Sequence, residues 1–488
     1  MSASLKVVQS SSLLLGLQLV QRSLGIISTL VLARLLAPED FGIIALVTIV
    51  LQFFELLVDT GNQQYIVQKA SVSPQDLNTA WSLDIVIKSS IALVVILSSP
   101  WIASYLDTKE LALALSVAAL TLPIRALKTP GLMMLARDIN YRPLFRLTLW
   151  QKGLSFVAVM TYALIHASYW AFILGNLVSA LVLAIGSYRV DSFRPRWSLD
   201  RAREQWSFSR WLLLRGMVGF TRSQIDNLIV SKLFGTVSLG GYNLVREVSL
   251  MPALSAIIPM TEPLLASIAQ VRNEPENLAY RIRLSLAVLG SLLVPVTVFI
   301  WSYPELIVGV LLGDKWQAYG PLLQPFSLLF FTFCLFSLVS DSVIALGRVK
   351  GLFLFDSLST AMIIAVLLTF STGSLAELAW ARGWLALATT LGLLLILNHW
   401  TAFGLMRFLW LTTPAITGSG LAIYLVTVPE LSSLSRLPEF LIRGSTFVVL
   451  AALFTLAIST LILGKTEEWQ QLRALLPWQQ SPQDQEKH

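Results

Sequence analysis

A chain of 488 residues that is 55% hydrophobic and only 13% charged, with a mean hydropathy of +0.71, is not a soluble globular protein, in which about a quarter of residues carry charge. Its single cysteine, Cys334, excludes an intrachain disulfide and a cysteine metal cluster. The formal charge of +7 resides in short connectors between apolar runs, as the positive-inside rule requires of a membrane protein, and not on a nucleic-acid-binding face.

Apolar stretches of about 20 residues, the length that crosses a hydrocarbon core, recur along the whole chain. In chain order about fourteen spans are expected, with ends uncertain by several residues: 10–34, 40–59, 80–104, 110–130, 146–166, 168–188, 209–234, 238–268, 282–312, 319–345, 352–370, 374–397, 411–428 and 443–463. The first has Lys6 before it and a small-residue site near Ala33, as in a signal peptide, but Gln18, Gln21 and Arg22 interrupt it, and it reads as a retained span. Pro252, Pro259 and Pro263 predict bends in the eighth span and Pro295 in the ninth, because proline removes a backbone donor.

About two thirds of the 35 basic residues fall on one side if the amino terminus is cytoplasmic, which predicts both termini inside. The densest basic clusters are a partly amphipathic connector, Arg125 to Lys152, and the segment Arg189 to Arg215. The second reads either as a linker along the inner leaflet, with Trp197, Trp206 and Trp211 at headgroup level, or as a solvated loop.

The chain also repeats. ARLLAPEDFGIIALV, Ala33 to Val47, aligns without gaps to SKLFGTVSLGGYNLV, Ser231 to Val245, pairing Leu35 with Leu233, Gly42 with Gly240, Leu46 with Leu244 and Val47 with Val245, and matching Arg34 to Lys232. Each copy joins the first two spans of a six-span block, as in a duplicated transporter. The expected organisation is an all-α polytopic membrane protein: an N-terminal lobe, 1–190; a basic cytoplasmic linker, 191–208; a C-terminal lobe, 209–398; two extra helices, 399–464; and a cytoplasmic tail, 465–488. An even number of spans per lobe places the pseudo-two-fold axis along the membrane normal and a substrate path between lobes.

The runs LARLLAPEDFGIIALVTIVLQFFELLVDTGNQQYIVQKA, SYWAFILGNLVSALVLAIGSYRVDSFRPRWS and SQIDNLIVSKLFGTVSLGGYNLVREVSLMP resemble the polysaccharide transporter family of bacterial Wzx-type flippases, in its lipopolysaccharide and exopolysaccharide branch. The likeness covers roughly the first 350 residues and rests on the spacing of these blocks. It implies the fold of the multidrug/oligosaccharidyl-lipid/polysaccharide superfamily, two six-helix lobes about a central cavity. It also implies the task of moving a lipid-linked oligosaccharide, usually on undecaprenyl diphosphate, to the outer leaflet of the inner membrane for O-antigen, capsule or exopolysaccharide export. Glycan polymerase and export proteins are the protein partners implied.

Ionisable groups inside spans cost about 2.5 to 3.5 kcal/mol each against lipid, so they face a cavity or a partner. They are Arg22, Asp84, Lys88, Arg222, Asp226, Arg246, Glu247, Glu262 and Arg382, with Asp59, Asp341, Asp356 and Glu377 nearer span ends. Asp84 with Lys88 and Arg222 with Asp226 are four residues apart, so each couple meets on one helix face, whether as a folding bridge or as part of a site. Given the diphosphate cargo that the resemblance implies, Arg22, Lys88, Arg222 and Arg246 are the candidates to hold it, because cationic forks match phosphate. Asp84, Asp226 and Glu247 are the candidates for proton or sodium coupling.

No cofactor, metal cluster or catalytic constellation is expected: His166, His399 and His488 have no ligand spacing, and no phosphate loop or nucleophile elbow occurs. Trp81, Trp101, Trp170, Trp301, Trp316 and Trp410 lie near predicted interfaces, as an anchoring belt would. The leading expectation is a lipid-linked oligosaccharide flippase. A cation-coupled drug antiporter of the same superfamily, a membrane-embedded glycosyltransferase or polymerase, and a non-transporting component of a glycan-assembly complex are the competing ones.

Overall fold

A computed structural model describes residues 3–58, 66, 69, 71–138, 140–271, 273–370, 373–429 and 434–474. Among them there are helices and no strands. In order these are α1 Ala3–Leu35, α2 Pro38–Val58, α3 Pro74–Tyr105, α4 Glu110–Ala119, α5 Thr121–Ala126, α6 Gly131–Arg137, α7 Tyr141–Ile165, α8 Trp170–Val190 and α9 Ala202–Pro252. They continue as α10 Ile258–Gln270, α11 Pro275–Ser302, α12 Pro304–Leu311, α13 Leu323–Ala345, α14 Val349–Thr369, α15 Leu375–Thr401, α16 Leu405–Thr427, α17 Arg436–Leu463 and α18 Glu467–Ala474.

Eleven of the helical stretches are long and apolar enough to cross a membrane, or twelve when α4–α5 and α6, bent by 66°, form one broken span. The chain is a multi-pass membrane protein. Two features account for the larger number expected from hydropathy. The single long stretch through α9 breaks at Gly235, whose φ of +81° is open to glycine and strained for other residues. Helix α7, at 25 residues, is long enough to span, but it carries Arg142, Arg146 and Lys152.

Local chemistry sets the boundaries. Ser73 and Asp76 form a capping box at the start of α3, and Ser374 and Glu377 form another at α15, each satisfying amide donors that a helix start leaves open. Pro38 opens α2, where its missing N–H costs nothing. The proline bend expected near 252 is a five-residue π-helix, Ala253–Ile257, directly after Pro252, and Pro295 lies inside α11. Trp316, expected in an interfacial belt, is fully buried in a 3-10 turn, whereas Trp101 is 73% exposed. Trp316 sits where the chain folds back between α12 and α13, so its ring packs inside the protein.

The chain forms two compact units: residues 1–244 with 360–371, and residues 245–359 with 372–488. In the first, α7 packs along both α8 and α1, and α3 packs along α4. Residues 191–199 form no regular element and are docked on this unit, with the Arg196 amide donating to Asn78 Oδ1 (2.8 Å), the Ser198 amide to Ser82 Oγ (3.0 Å) and Thr129 Oγ1 to the Phe193 carbonyl (3.0 Å). The linker is thus tied to α3, with Trp197 still 60% exposed.

In the second unit α13 packs on α15, and α11 and α17 both flank α16. The short α18 is fixed by Glu468, which is buried and accepts from Arg283 and Arg407 at 2.9 Å each.

Candidate functional site

The repeated segments themselves make contact in the first unit. A Cβ added at Gly42 would lie 2.0 Å from the Thr236 carbonyl oxygen, and one added at Gly240 would lie 2.0 Å from the Pro38 carbonyl oxygen and 2.8 Å from the Gly42 amide nitrogen. Under the repeat alignment Gly42 and Gly240 are mates, and so are Pro38 and Thr236. Each glycine therefore meets the mate of the other's neighbour, the reciprocal pattern of an isologous two-fold contact. Around it, Thr108 and Thr236 share a 2.6 Å hydroxyl hydrogen bond, and Lys232 donates to the Tyr105 carbonyl (2.6 Å) and to Asp107 (3.1 Å). The Tyr169 amide donates to Asp40 Oδ1 at 3.0 Å. These contacts bring the α1–α2, α3–α4 and α7–α8 turns and the Gly235 break together at one end of the unit, called here the Pro38 end.

Levelled at that end, helix rise places the charges by depth. Arg22 on α1 and Arg222 on α9 each lie about 20 Å from it, Lys88 on α3 about 26 Å and Asp84 about 32 Å, at about 1.5 Å per residue. All fall within a unit whose helices span a membrane about 30 Å thick in hydrocarbon. Arg22 and Arg222 are half-buried. Among the described residues, Nη1 of Arg22 is buried and hydrogen-bonded to no group. Lys88 and Asp84 are bridged at 2.6 Å along one helix face, so this couple closes on itself as the four-residue spacing predicts. Asp226 is fully buried, and its Oδ2 accepts from the Tyr242 hydroxyl at 3.2 Å, while neighbouring Asn227 donates to Asn243 at 3.1 Å.

Arg246 and Glu247 belong to the second unit, the first half-buried and the second exposed. Arg382 is buried there, and Glu377 serves its capping box. Asp59 lies outside the described residues, as does the side chain of Glu262.

Sequence reasoning passed over three charged groups of the first unit. Arg125 on α5 donates to Glu55 on α2 at 2.5 Å, and Lys152 on α7 is exposed and lies within electrostatic reach of Arg125. Grouping Arg125 to Lys152 as a basic connector hid them, although Lys152 sits well inside the apolar run that follows Tyr141. The second unit holds a further unforeseen feature, an apolar groove of about 750 Å³ between α11 and α17, lined by Pro295, Phe299, Phe447, Ala451 and Trp469. Thr455 Oγ1 and Trp469 Nε1 are buried at it without hydrogen-bond partners among the described residues.

A family model described as polysaccharide biosynthesis protein matches residues 31–321. The chain is 24% identical over 295 residues to the succinoglycan biosynthesis transport protein ExoT of Rhizobium meliloti, covering 60% of each chain. It is 22% identical over 309 residues to the lipopolysaccharide biosynthesis protein WzxC of Escherichia coli, covering 62% of each. The matched segments thus span about three fifths of these two relatives. Among solved structures, the lipid II flippase MurJ in an inward closed conformation superposes with a TM-score of 0.74 over 92% of this chain and 99% of its own, at 14% identity, a likeness of fold.

Proposed function

The chain belongs to the polysaccharide biosynthesis protein family, and from that premise we propose that it is a flippase for a lipid-linked oligosaccharide. It carries the glycan on undecaprenyl diphosphate from the cytoplasmic to the outer leaflet of a bacterial inner membrane by alternating access, for O-antigen, capsule or exopolysaccharide export. The names of its relatives, a succinoglycan transport protein and a lipopolysaccharide biosynthesis protein, support this reading. The activity is transport without a chemical step, both termini are cytoplasmic, and polymerase and export proteins act downstream.

The observation that carries the proposal is Arg22. A guanidinium nitrogen buried about 20 Å below the Pro38 end and, among the described residues, hydrogen-bonded to no group is costly in a membrane. A phosphate ligand removes that cost with a charge-assisted hydrogen bond. Arg222 at the same depth and Lys88 just below it supply further positive charge, and Arg246 is the fourth candidate from the second unit. Loosening of the Gly42–Gly240 crossing opens the Pro38 end and releases the head group to the outer leaflet. The apolar groove between α11 and α17 has the chemistry for a polyprenyl tail.

Coupling to protons or sodium is assigned to Asp84, Asp226 and Glu247. Asp226 is the foremost of these on geometry, because it is fully buried in the first unit and accepts from the Tyr242 hydroxyl. A drug antiporter reading is disfavoured by the arginines, since an organic cation calls for a site dominated by carboxylates.

The deciding test is a deletion strain. It should accumulate a lipid-linked repeat unit accessible only from the cytoplasmic side, cleared by the wild-type gene and by Arg22→Lys in part, and not by Arg22→Gln. Undiminished delivery of the repeat unit to the outer leaflet in the deletion strain would overturn the assignment.

A further inference from the structure

Lys152 stands in the body of α7, and its surroundings say which way it points. Exposed apolar side chains of that helix, Trp150 at 67%, Leu154 at 43% and Val157 at 58%, form a lipid-facing stripe that Leu149 flanks, whereas Val159 and Ala163, within about 20° of Lys152 around the helix, are buried. At about 100° per residue Lys152 lies roughly 160° around the helix from both Trp150 and Leu154. It therefore turns away from lipid. The opposite flank is held by α8, where Gln151 donates to Ser179 (2.9 Å) and Ser155 to the Gly175 carbonyl (2.8 Å), and Lys152 sits at the edge of that packed face. An exposed ammonium that avoids lipid is an ammonium in water inside the unit. Among the described residues nothing hydrogen-bonds or ion-pairs with it.

Its depth matches that of the other cations. The interval from Lys152 to Ile165 equals that from Arg22 to Leu35, about 20 Å in each helix, and the Tyr169–Asp40 hydrogen bond ties the two turns. Arg125 lies about 22 Å below the same end and Glu55 about 26 Å. Arg125 is satisfied by Glu55, but both side chains remain partly exposed, at 32% and 40%, so a solute reaches them.

We infer that Arg125 and Lys152 form a second grip on the diphosphate of the cargo, with Glu55 as the built-in counter-ion that the arriving phosphate displaces from Arg125. The inference rests on the flippase reading. Of the eight charges, Arg22, Lys88, Arg125, Lys152 and Arg222 are positive and Asp84, Glu55 and Asp226 negative, which leaves a double positive charge to face the two negative charges of a diphosphate diester. Glu55 stops Arg125 from standing unpaired when the site is empty and sets a threshold that only a strong anion passes.

The test uses the purified full-length protein in nanodiscs, with undecaprenyl diphosphate as one probe, phosphatidylglycerol as the other, and binding read by native mass spectrometry or fluorescence titration. Lys152→Gln and Arg125→Gln should each weaken undecaprenyl diphosphate binding about tenfold, the scale of one charge-assisted hydrogen bond. Glu55→Gln should strengthen it several-fold, and Lys152→Arg should retain it. Phosphatidylglycerol should bind weakly and respond to none of the three Gln variants. A bridge that serves folding alone moves Arg125→Gln and Glu55→Gln in the same direction, and that result overturns the inference. So does unchanged affinity in Lys152→Gln, or equal response of the two lipids, which would make the grip a general phospholipid contact. Loss of binding in Arg22→Gln with Lys152→Gln and Arg125→Gln unaffected would sink the second grip and leave the flippase reading standing. A wild-type protein without affinity for the diphosphate would remove both.

Discussion

Replacing Gly240 by alanine tests the crossing at the Pro38 end. The added methyl would sit 2.0 Å from the Pro38 carbonyl oxygen, where ordinary contact begins at 3.4 Å, so the two backbones must part by about 1.4 Å. The obstacle is main chain, which no rotamer change relieves. Overpacking of this kind costs about 1 to 3 kcal/mol, so the closed form loses roughly five- to 150-fold against an open one. Gly42→Ala meets the Thr236 carbonyl at the same 2.0 Å and should act alike, while Gly25→Ala, with nothing within 4 Å, is the control. Disulfide trapping between Thr108→Cys and Thr236→Cys reports closure, because these hydroxyls, whose places the two thiols take, are 2.6 Å apart, and the one native thiol, Cys334, is buried. Trapping should fall in both glycine variants and hold in the control. Undiminished trapping in Gly240→Ala and Gly42→Ala would refute the argument that this contact holds the end shut.

Three further outcomes follow from the same geometry. Glu468 lies beyond the last span; burial raises its pKa, but hydrogen bonds from its own backbone, Arg407 and Arg283 outweigh that and hold it below the ordinary 4.5. A lowered carboxylate stabilises above its unfolded pKa and loses that contribution as pH falls through the folded value, so α18 should undock below about pH 4.5, and Glu468→Gln should undock it at neutral pH at a cost of about 2 kcal/mol, read as hydrogen exchange in 467–474. At the 2.6 Å Lys88–Asp84 bridge, Asp84→Asn should lower thermal stability by about 1 to 3 kcal/mol and Asp84→Asn with Lys88→Met should recover most of it, whereas failure of recovery would show Lys88 to be needed for something besides its partner. Gly444→Trp in the groove should slow transport at least tenfold without lowering stability, because the indole fills about 750 Å³ of otherwise open space only in part; unchanged export would remove the groove from the transport path.

Hydropathy located the membrane helices because a span must be apolar along its whole length, and the repeat alignment singled out the two glycines that meet in the folded protein. The α9 break was harder to read, since Gly235 lies inside apolar sequence and only its positive φ marks the turn. Depth was the quantity the sequence withheld. Arg125 and Lys152 fall inside the expected spans 110–130 and 146–166, and counting them with the basic connector between those spans hid their depth. A helical projection of Tyr141 to Ile165 would have shown Lys152 opposite Trp150 and Leu154. The pairing of Arg125 with Glu55 spans 70 positions and no local pattern encodes it. Likewise, Asp226 has its tyrosine partner 16 residues on, across the Gly235 break, where helical spacing gives no guidance.

The reciprocal seat of Gly42 on Thr236 and of Gly240 on Pro38 has a consequence for descent. If this gene arose by joining two copies of a half-sized ancestor, one glycine in that ancestor would have lain against its own symmetry-related copy, so a single mutation there struck the contact twice. After fusion the two positions mutate independently, yet each still faces the main chain of the other half, so neither copy gained freedom from the duplication. At this one place the two halves are expected to go on evolving as a dimer would.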